Sequence, residues 1–442
     1  MEPLLFKETK YQKTKIGNLP HDWELKALGD VAEFWNGKAH EKAIADDGDY
    51  IVINSKFVSS DGNVAKYCNE LISPLKKKDI AIVMSDIPNG KAIAKCFSVD
   101  ENNQYSLNQR IGGVRSVKVL ADFLFYILNR NPYFLKFDDG VQQTNLRKGD
   151  ILNCPVQLPL PEEQIAVTGI LNTVVKKLQL LDEKIEYTYK LRKGLIQKFF
   201  SEGIGKKNKD GNWLPHEEFS LTSMGMKPKC WKLKKLEDIS SFITKGATPT
   251  TYGFDWCNKE TGIPFLRSEC VGDSGFKPSG LRYISNEAHE AMSRSKIYSG
   301  DILISITGNI GRVVRLPLKI PEANINQHIA KVAVNTEYNS DFVMFALQSS
   351  EYRKLYDRIF TGQAYPQLSL KQVRENPIFL PSRDEQDKIA EILLAVDQKI
   401  SSLVLLRGET QKLKNGLMQK LLTGKWRVNL NKIDEEKVAL EV

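Results

Sequence analysis

The sequence predicts a mixed α/β (α+β) fold assembled from two related halves, each of which is a globular segment followed by one long helix. Three observations predict this fold class. A helical segment occurs twice, the globular segments that precede its two copies resemble each other, and a strand-like run follows a matching aspartate in each. Repetition on this scale indicates that one structural plan is used twice, as an internal pseudo-two-fold repeat.

The repeated helical segment extends over residues 162–201 and again over residues 384–422, with no gap in register. Glu163 corresponds to Glu385, and the same shift of 222 positions holds along the whole segment. A Leu-Pro pair precedes each copy and favours extended backbone there. Acidic residues fill each first turn, where the helix dipole favours negative charge, and glycine follows each last turn, where a left-handed cap is expected. These signals predict two long helices.

A narrow apolar stripe runs along both helices at the spacing typical of helices that pack on each other. At about 1.5 Å per residue, about forty residues form a rod of roughly 60 Å. Thr188 and Arg192 interrupt one stripe exactly where Thr410 and Lys414 interrupt the other. Each helix could instead cover only its own domain, but the matching interruptions favour one shared interface. The predicted helix–helix spacer residues are Leu171, Leu178, Leu181, Ile185, Leu195, Leu393, Ile400, Leu403, Leu417 and Leu421.

The globular segments align at Trp23 with Trp231 and at Asp79 with Asp301. Strand-like runs are predicted at 80–84 and 302–306, helical spacing at 121–129 and 342–356, and loops at 140–145 and 361–367. The predicted organisation is a globular domain over 1–161, a long helix over 162–203, a linker over 204–224, a second globular domain over 225–383, a second long helix over 384–424 and a charged, loosely ordered tail over 425–442.

Composition limits the class of protein. Hydrophobic residues make up 41% and charged residues 26% of the 442 residues, as in an ordinary globular protein. The formal net charge of +9 permits a polyanionic partner such as nucleic acid. The sequence contains no apolar run long enough for a membrane span and begins without an apolar signal core. We therefore expect a cytoplasmic location.

Motifs for catalysis or metal binding are missing from the sequence. The six cysteines are scattered without a C-x-x-C pair, and the five histidines have no metal-ligand spacing. The sequence contains no G-x-x-x-x-G-K-[ST] phosphate loop. Asn131-Pro132-Tyr133-Phe134 only approaches the catalytic tetrapeptide of an adenine methyltransferase, because it has a single proline. We therefore predict no catalytic residue and no metal site, and expect that the chain is not an enzyme on its own.

Polar turns are the candidates for contact with DNA. The turn Thr307 to Arg312 combines glycines, backbone amides and an arginine, which suits a phosphate. Such a turn also commonly connects the two strands of a hairpin without binding a ligand. Asn108-Gln109-Arg110 and Asn326-Gln327-His328 carry groups that can pair with base edges, but structural hydrogen bonds would explain them equally well.

The two halves differ most at residues 36–75 and 244–297. These stretches mix cationic, amide and aromatic residues. Either loops have drifted neutrally, or the two halves recognise different things. The full set of predicted DNA-binding residues is Asn36, Lys38, Lys56, Ser85, Lys91, Asn108, Gln109, Arg110, Gln142, Gln143, Asn145, Lys245, Thr248, Arg267, Thr307, Asn309, Arg312, Asn326, Gln327, His328, Gln363, Tyr365 and Gln367.

The chain resembles the specificity subunit of type I restriction-modification enzymes over nearly its whole length. The motifs that carry the resemblance are Leu158 to Gln164 with Leu380 to Gln386, the run Gly300 to Arg312, and Leu421 to Trp426. The first half departs from the pattern, since Ser85 to Lys91 replaces the Thr-Gly-Asn-Ile-Gly-Arg turn.

The resemblance implies that each half is a target recognition domain that reads one part of a split DNA sequence, and that the long helices pair antiparallel as a coiled-coil spacer. It implies partners as well: double-stranded DNA, two modification subunits that carry S-adenosylmethionine chemistry, and restriction subunits that use ATP and magnesium. No cofactor is expected in this chain. Three alternatives remain open from the sequence: a stand-alone DNA-binding regulator, a protein-binding scaffold, and the specificity subunit of a fused methyltransferase-nuclease.

Overall fold

The computed structural model describes residues 10–87, 90–273, 275–360 and 366–430. The chain forms two compact units. The first comprises Met1–Leu181 with Leu406–Val442, and the second comprises Asp182–Leu405. The boundary between the units therefore falls inside both long helices.

Helices and strands alternate in both units. The α-helices are α1 (Leu28–Val31), α2 (Ser55–Ser59), α3 (Ala121–Leu128), α4 (Pro132–Leu135), α5 (Lys148–Leu152), α6 (Pro161–Glu202), α7 (Asn286–Ala291), α8 (Ser340–Leu347), α9 (Ser350–Phe360), α10 (Leu370–Arg374) and α11 (Arg383–Leu421). The strands of the first unit are β1 (Tyr11–Thr14), β2 (Gly17–Pro20), β3 (Glu24–Ala27), β4 (Ala32–Asn36), β5 (Tyr50–Ile53), β6 (Tyr67–Cys68), β7 (Ile80–Val83), β8 (Ser85–Asp86), β9 (Cys96–Ser98), β10 (Tyr105–Leu107), β11 (Ile111–Ser116), β12 (Thr144–Asn145) and β13 (Pro155–Leu158).

The second unit continues with its own strands and with short 3-10 turns between them. These strands are β14 (Lys206–Lys207), β15 (Trp213–Leu214), β16 (Phe219–Thr222), β17 (Gly225–Pro228), β18 (Lys232–Lys235), β19 (Ser240–Lys245), β20 (Ile263–Leu266), β21 (Val271–Gly272), β22 (Gly275–Phe276), β23 (Arg282–Ile284), β24 (Lys296–Tyr298), β25 (Ile302–Ser305), β26 (Val313–Arg315), β27 (Glu322–Ile325), β28 (Ile329–Val334) and β29 (Pro377–Leu380).

The two units share one sheet topology. A four-stranded sheet has the order β4-β11-β7-β9 in the first unit and β19-β28-β25-β26 in the second. The parallel pair β5–β10 extended by β6 corresponds to the parallel pair β20–β27 extended by β23. The hairpin β1–β2 corresponds to β16–β17, and the pair β3–β13 to β18–β29. The predicted mixed fold with an internal repeat is therefore confirmed.

The central strand of each sheet separates two cores, because side chains alternate between its faces. Ile80 and Ile82 of β7 join the core cluster to which the long helices contribute, whereas Ala81 and Val83 join a second cluster. Strand β25 divides its residues in the same way between two clusters. The predicted strand-like runs are therefore true central strands, and their continuous hydrophobicity reflects burial on both faces.

The matching aspartates before these strands both form ion pairs. Asp79 is 1% exposed and forms a bidentate pair with Arg115, with N–O distances of 2.8 and 2.6 Å. The hydrogen bond to Asp79 raises the pKa of Arg115, although burial opposes the shift. In the second unit Asp301 lies 2.9 Å from Lys331. Both pairs hold the start of the central strand against its neighbour in the sheet.

The long helices pack on each other within each unit. In the first unit Leu171 of α6 and Leu417 of α11 lie in one core cluster, and in the second unit Ile196 and Leu393 do. The start of one helix thus meets the end of the other, which is an antiparallel pairing. The alternative, in which each helix covers only its own domain, does not hold.

Burial along the helices follows the predicted stripe. Ile185 and Leu195 are half-buried, and the other predicted spacer residues are buried: Leu171, Leu178, Leu181, Leu393, Ile400, Leu403, Leu417 and Leu421. The polar interruptions are also accommodated. Arg192 forms an ion pair with Asp397 and donates to Gln348 at 2.7 Å. Thr188 and Thr410 each donate to a carbonyl one turn earlier in their own helix.

The glutamate at the start of each long helix is a buried anchor. Glu163 is 3% exposed, accepts from the indole of Trp23 at 3.0 Å, and pairs with Arg427 at 2.7 Å. Glu385 is 2% exposed and accepts from the amides of Ile204 at 2.8 Å and Gly205 at 3.1 Å. The segment that follows the end of one long helix thus secures the start of the other.

These contacts correct two predictions. The predicted linker 204–224 is not a simple connection, because it contains β14, β15 and β16, and its His216 lies 3.0 Å from the carboxylate of Glu385. The predicted loosely ordered tail is packed as far as the description extends, to residue 430, and Arg427 is only 6% exposed. Neither feature could be predicted, because the local pattern of charges does not show that a carboxylate will be buried against a distant segment of the chain.

Each long helix ends as expected. Gly203 and Gly424 have φ angles of +72° and +66°, in the left-handed region that favours glycine. The helices begin and end slightly before their predicted limits of 162–203 and 384–424. No helix in the described part of the chain is long and apolar enough to span a membrane. Within the same residues no cluster of three or more His, Cys, Asp or Glu side chains is placed to hold a metal ion.

Candidate nucleic-acid interface

A close crossing of two chain segments builds the candidate surface of the first unit. Gly37 follows β4, and a Cβ at this position would lie 2.1 Å from the carbonyl oxygen of Asn108. Only glycine permits this approach. The next residue, Lys38, donates its amide hydrogen to the carbonyl of Leu107 at 2.9 Å. Lys38 is therefore held beside the predicted turn at 108–110.

Further segments meet at the same edge of the sheet. The amide of Met84 donates to the carbonyl of Arg110 at 3.1 Å, and the amide of Leu146 donates to the carbonyl of Met84 at 2.8 Å. Beside them, the amide side chain of Gln143 donates to the hydroxyl of Ser85 at 2.6 Å. Polar residues far apart in sequence are thus assembled by backbone hydrogen bonds, which fix their positions.

The second unit repeats this scaffold bond by bond. At Gly246 a Cβ would lie 1.8 Å from the carbonyl oxygen of Ile325, which also accepts from the amide of Ala247 at 3.2 Å. The amide of Ile306 donates to the carbonyl of His328 at 2.9 Å, as Met84 does to Arg110 in the first unit. The two edges are equivalent constructions that carry different side chains.

Most of the predicted DNA-binding residues gather at these two edges. The first edge holds Asn36, Lys38, Ser85, Asn108, Gln109, Arg110, Gln143 and Asn145, and the second holds Lys245, Thr248, Arg267, Thr307, Asn326, Gln327, His328 and Gln367. All are exposed or half-buried except Asn326, which is 8% exposed. Polar side chains from several segments therefore share one accessible surface in each unit.

Some predicted residues do not join these edges. Lys56, Lys91 and Gln142 are exposed, and within the described ranges their side chains make no hydrogen bond to the edge of the first unit. Asn309 and Arg312 lie on the hairpin turn between β25 and β26. Gln363 and Tyr365 fall outside the described residues.

The Asn-Gln pairs have a structural role as well as accessible groups. The side-chain oxygen of Asn108 accepts from the amide of Arg110 at 3.5 Å, and that of Asn326 accepts from the amide of His328 at 3.2 Å. An asparagine that bonds two residues ahead stabilises a tight turn. This explains the repeated asparagine without any ligand. Each turn then presents its third residue, an arginine in one unit and a histidine in the other.

The glutamines of these turns also have protein partners. Gln109 donates to Glu41 at 3.1 Å, and Gln327 accepts from the hydroxyl of Thr248 at 2.5 Å. Thr307 and His328 form a hydrogen bond with each other. Part of the second edge is therefore a small preorganised network of Thr248, Gln327, Thr307 and His328. Each edge also carries two cations, Lys38 and Arg110 in the first unit and Lys245 and Arg267 in the second.

Two amides of the predicted phosphate-binding turn are already bonded to the preceding strand. The amide of Gly311 donates to the carbonyl of Ser305 at 2.9 Å, and the amide of Arg312 donates to the hydroxyl of Ser305 at 3.0 Å. Gly308 and Gly311 have φ angles of +73° and +76°, as a tight hairpin turn requires. These bonds are typical of an ordinary hairpin turn, and phosphate contact at this turn stays a prediction.

Arg312 itself is already paired with a carboxylate. It forms a bidentate ion pair with Asp273, with N–O distances of 3.0 and 2.6 Å, and Arg353 approaches the same carboxylate at 3.3 Å. A bidentate arginine–carboxylate pair is among the stronger side-chain interactions. Arg312 is thus held by protein charge, in contrast to the expectation of an arginine open to phosphate.

Sequence reasoning missed three residues that define these sites. Gly37 and Gly246 fix the chain crossings, and their signal was present, since a glycine follows the aligned strand in both halves. Asp273, the partner of Arg312, gave no such signal because it lies in a stretch where the halves do not align. An ion pair between residues 39 positions apart depends on tertiary structure alone.

Comparison with known proteins identifies the repeated unit. A family model described as the type I restriction modification DNA specificity domain matches the chain twice, over residues 20–187 and 228–414. Each match spans one globular segment and most of the long helix that follows it. The chain belongs to the type I restriction-modification specificity-subunit family. The resemblance drawn from the helix starts and the run 300–312 is confirmed.

Relatives within this specificity-subunit family match along almost their whole length. The chain is 24% identical to the type I restriction enzyme MjaVIII specificity subunit of Methanocaldococcus jannaschii, over 96% of this chain and 98% of that one. It is 20% identical to the EcoDI specificity subunit of Escherichia coli, over 93% of this chain and 91% of that one.

Solved structures of specificity subunits share the fold. The type I restriction-modification S subunit from M. genitalium superposes with a TM-score of 0.58 at 18% identity, covering 95% of this chain and 99% of that one. A chain from a study of complex assembly and conformational transition of the type I R-M system superposes with a TM-score of 0.53 at 16% identity, covering 92% and 99%.

Proposed function

We propose that this chain is the DNA-recognition subunit of a type I restriction-modification complex and reads a bipartite target, one part with each unit. The observation that carries the proposal is the duplicated edge. The same backbone scaffold presents Lys38, Ser85 and Arg110 in one unit and Ala247, Thr307 and His328 in the other. Equal scaffolds with different exposed side chains suit two readers of different sequences.

The chemistry of each edge fits contact with a duplex. Arginine pairs with two acceptors of guanine in the major groove, and amide side chains pair with adenine. Lysine contributes to affinity through phosphate contacts that carry no sequence information. We expect binding by both units to depend on salt, since each edge carries two cations, Lys38 and Arg110 in one unit and Lys245 and Arg267 in the other.

The paired long helices are proposed to set the number of unread bases between the two half-sites. An interhelical seam that is buried or half-buried at every predicted position supports a stiff element, because interdigitated apolar side chains resist sliding. A stiff spacer would tolerate divergence of the recognition domains but little change in helix length.

Partner subunits are proposed to supply all catalysis. The outer faces of the long helices expose apolar side chains that a partner could cover. Tyr187 and Leu191 are 69% and 43% exposed on α6, and Leu405 and Leu413 are 65% and 53% exposed on α11. We propose that the chain itself is non-catalytic and binds no cofactor, and that S-adenosylmethionine, ATP and magnesium act in the modification and restriction subunits.

Mapping of methylated sites tests the proposed function. The chain would be expressed with the modification subunits from the same genetic locus, and methylated adenines would be located across a genome. We expect Arg110→Ala to relax one half-site and His328→Ala to relax the other, while the spacer is unchanged. Lys118→Ala, an exposed charge change away from the edge, is the control. Unchanged sequence preference in both variants would contradict the proposal.

A further inference from the structure

A deep groove lies in the first unit at the C-terminal end of α11. Its volume is about 680 Å³, within the range of ligand-binding sites. The hairpin β1–β2, the helix α4, the strand β13 and the last turn of α11 form its walls. We call it the α4 groove, defined by Lys15, Arg130, Tyr133, Lys136, Gln157 and Leu422. None of the predicted DNA-binding residues lines it.

The equivalent position in the second unit is filled. Phe200 stands where Leu422 lines the α4 groove, and the remaining cavity is about 10 Å³, enough for a single water. The ring of Phe379 occupies the place of Gln157, because β29 and β13 share one register. The same fold can therefore fill this position with side chains. The open α4 groove is thus not required by the fold.

Charge also distinguishes the two positions. The lining of the α4 groove contains three cations and no carboxylate. The filled position is lined by one cation, Lys227, and one carboxylate, Glu351. The matching pairs, first unit before second, are Lys15 and Ser223, Tyr133 and Glu351, Lys136 and Lys354, and Gln157 and Phe379, whereas Arg130 lies in a loop one residue longer than its counterpart.

The polar groups of the α4 groove are available to a ligand. In the part of the chain that the structure describes, the side chains of Lys15, Lys136 and Gln157 form no hydrogen bond or ion pair. Arg130 donates one of its guanidinium hydrogens to the carbonyl of Ile93 at 3.0 Å, which orients the group and leaves the rest of the fork unpaired. Arg130 is also held at a φ of +57°, a conformation that non-glycine residues seldom adopt.

We propose that the α4 groove binds an acidic segment of a partner protein that presents one aromatic side chain. The aromatic ring would enter the place that the ring of Phe379 fills in the second unit. The carboxylates on either side of it would pair with Lys15, Arg130 and Lys136. The second unit is the template for this occupant, since there a protein side chain closes the same position. The proposal does not depend on whether the chain reads DNA.

Selection from a peptide library tests the proposal on the full chain. A library of random twelve-residue peptides would be displayed on phage, selected on the wild-type chain and depleted on the variant Gln157→Phe, which restores the plug of the second unit. We expect the selected peptides to share a Phe, Tyr or Trp flanked by Asp or Glu. Selection of no peptide that distinguishes the two chains, or of peptides without acidic residues, would overturn the proposal.

Affinity of one selected peptide, measured by fluorescence anisotropy, gives the quantitative test. We expect Gln157→Phe to weaken binding at least tenfold, and the triple variant Lys15→Ser, Arg130→Ser, Lys136→Leu to weaken it at least as much. Lys118→Ala, which removes one exposed charge outside the α4 groove, is the control and should leave the affinity unchanged. Circular dichroism and thermal unfolding would establish that each variant is folded, and a folded Gln157→Phe variant with unchanged affinity would overturn the proposal.

Competition identifies the occupant. Excess duplex DNA should not displace the peptide, because the α4 groove is built from other residues than the recognition edges. Displacement by duplex would mean that the acidic peptide mimics DNA at an edge, which would overturn the proposal. Displacement by millimolar ATP would assign the groove to a nucleotide instead of a protein segment and would overturn it as well.

Discussion

Single residues decide how the long helices are secured in this protein. Glu163 is buried with Arg427, whose guanidinium also pairs with Asp22 at 2.7 Å. A buried carboxylate that loses its only strong cation retains a desolvation cost with little compensation. The stability of the first unit should therefore depend on a residue in the C-terminal segment, which the sequence suggested was loosely ordered.

Arg427→Ala should destabilise the first unit by about 3 kcal/mol, since it leaves the Glu163 carboxylate buried without its partner. Denaturant unfolding followed by circular dichroism measures the loss. Arg383→Ala provides the control, because it breaks an ion pair with Asp387 in which both side chains are 47% exposed. Such a surface pair contributes less than about 1 kcal/mol. Equal losses in the two variants would contradict the anchoring role.

Lys414 predicts a pH dependence of stability. Burial in the seam lowers its pKa below the ordinary lysine value, although Asp61 opposes the shift. The unfolded chain then binds the proton more tightly than the folded chain, so stability should rise with pH between the lowered pKa and the ordinary value. Below the lowered pKa, Lys414 is charged in both states, and the folded chain carries the full free-energy cost of burying that charge.

Lys414→Met should remove this cost and raise the unfolding temperature at pH 7, by about 2–4 °C if the cost is about 1 kcal/mol. The advantage of methionine should shrink as the pH approaches 10. Calorimetry at pH 7 and pH 10 measures both values. Lys177→Met, on the exposed face of α6, is the matched control. A constant advantage at both pH values would contradict the assignment.

Arginines in the two units are predicted to differ in their contribution to DNA binding. Arg110 is exposed at the first edge, whereas Arg312 is neutralised by Asp273. Arg110→Ala should therefore weaken binding to a duplex, and should reduce the salt slope by about one if it contacts a phosphate. Arg312→Ala should change affinity and slope little. Titration of a target duplex at several salt concentrations, with the modification subunits present, gives both quantities, and the opposite order would refute the distinction.

At the scale of elements, the sequence predicted what depends on local pattern. Two local signals predict the long helices, their glycine caps and the central strands Ile80–Val83 and Ile302–Ser305. These signals are the spacing of apolar residues and the glycine and proline residues at the ends of the elements. The hairpin turn before Arg312 could not be assigned, because a glycine-rich turn that binds phosphate and one that only reverses the chain have the same composition. The amides of Gly311 and Arg312 are bonded to Ser305, which lies at the end of the preceding strand.

The candidate edges show the same limit. Asn108 and Asn326 are predicted to contact DNA, but their side-chain oxygens stabilise turns, and their neighbours Arg110 and His328 are more exposed. Sequence spacing places residues in one turn. It does not determine which side chains are used by the fold and which remain available, since that depends on long-range backbone pairing.

At the scale of the whole chain, two units with one topology explain why divergence is concentrated outside the helices. The sheets, the glycine crossings and the buried helix anchors are duplicated, whereas the side chains at the two edges and at the α4 groove differ. Duplication preserves the scaffold because its hydrogen bonds are made by the backbone. Substitution is then free to give each copy a different partner.

The helix pair is proposed to fix the distance between the two reading edges. Deleting one heptad from each helix tests this proposal, at residues 185–191 and 398–404, which face each other around the pair of Arg192 with Asp397. About 10 Å would be removed, equivalent to about three base pairs. Mapping of methylated adenines with the modification subunits present should show both half-sites unchanged and the spacer shortened by about three base pairs. Altered half-sites with an unchanged spacer would contradict the account.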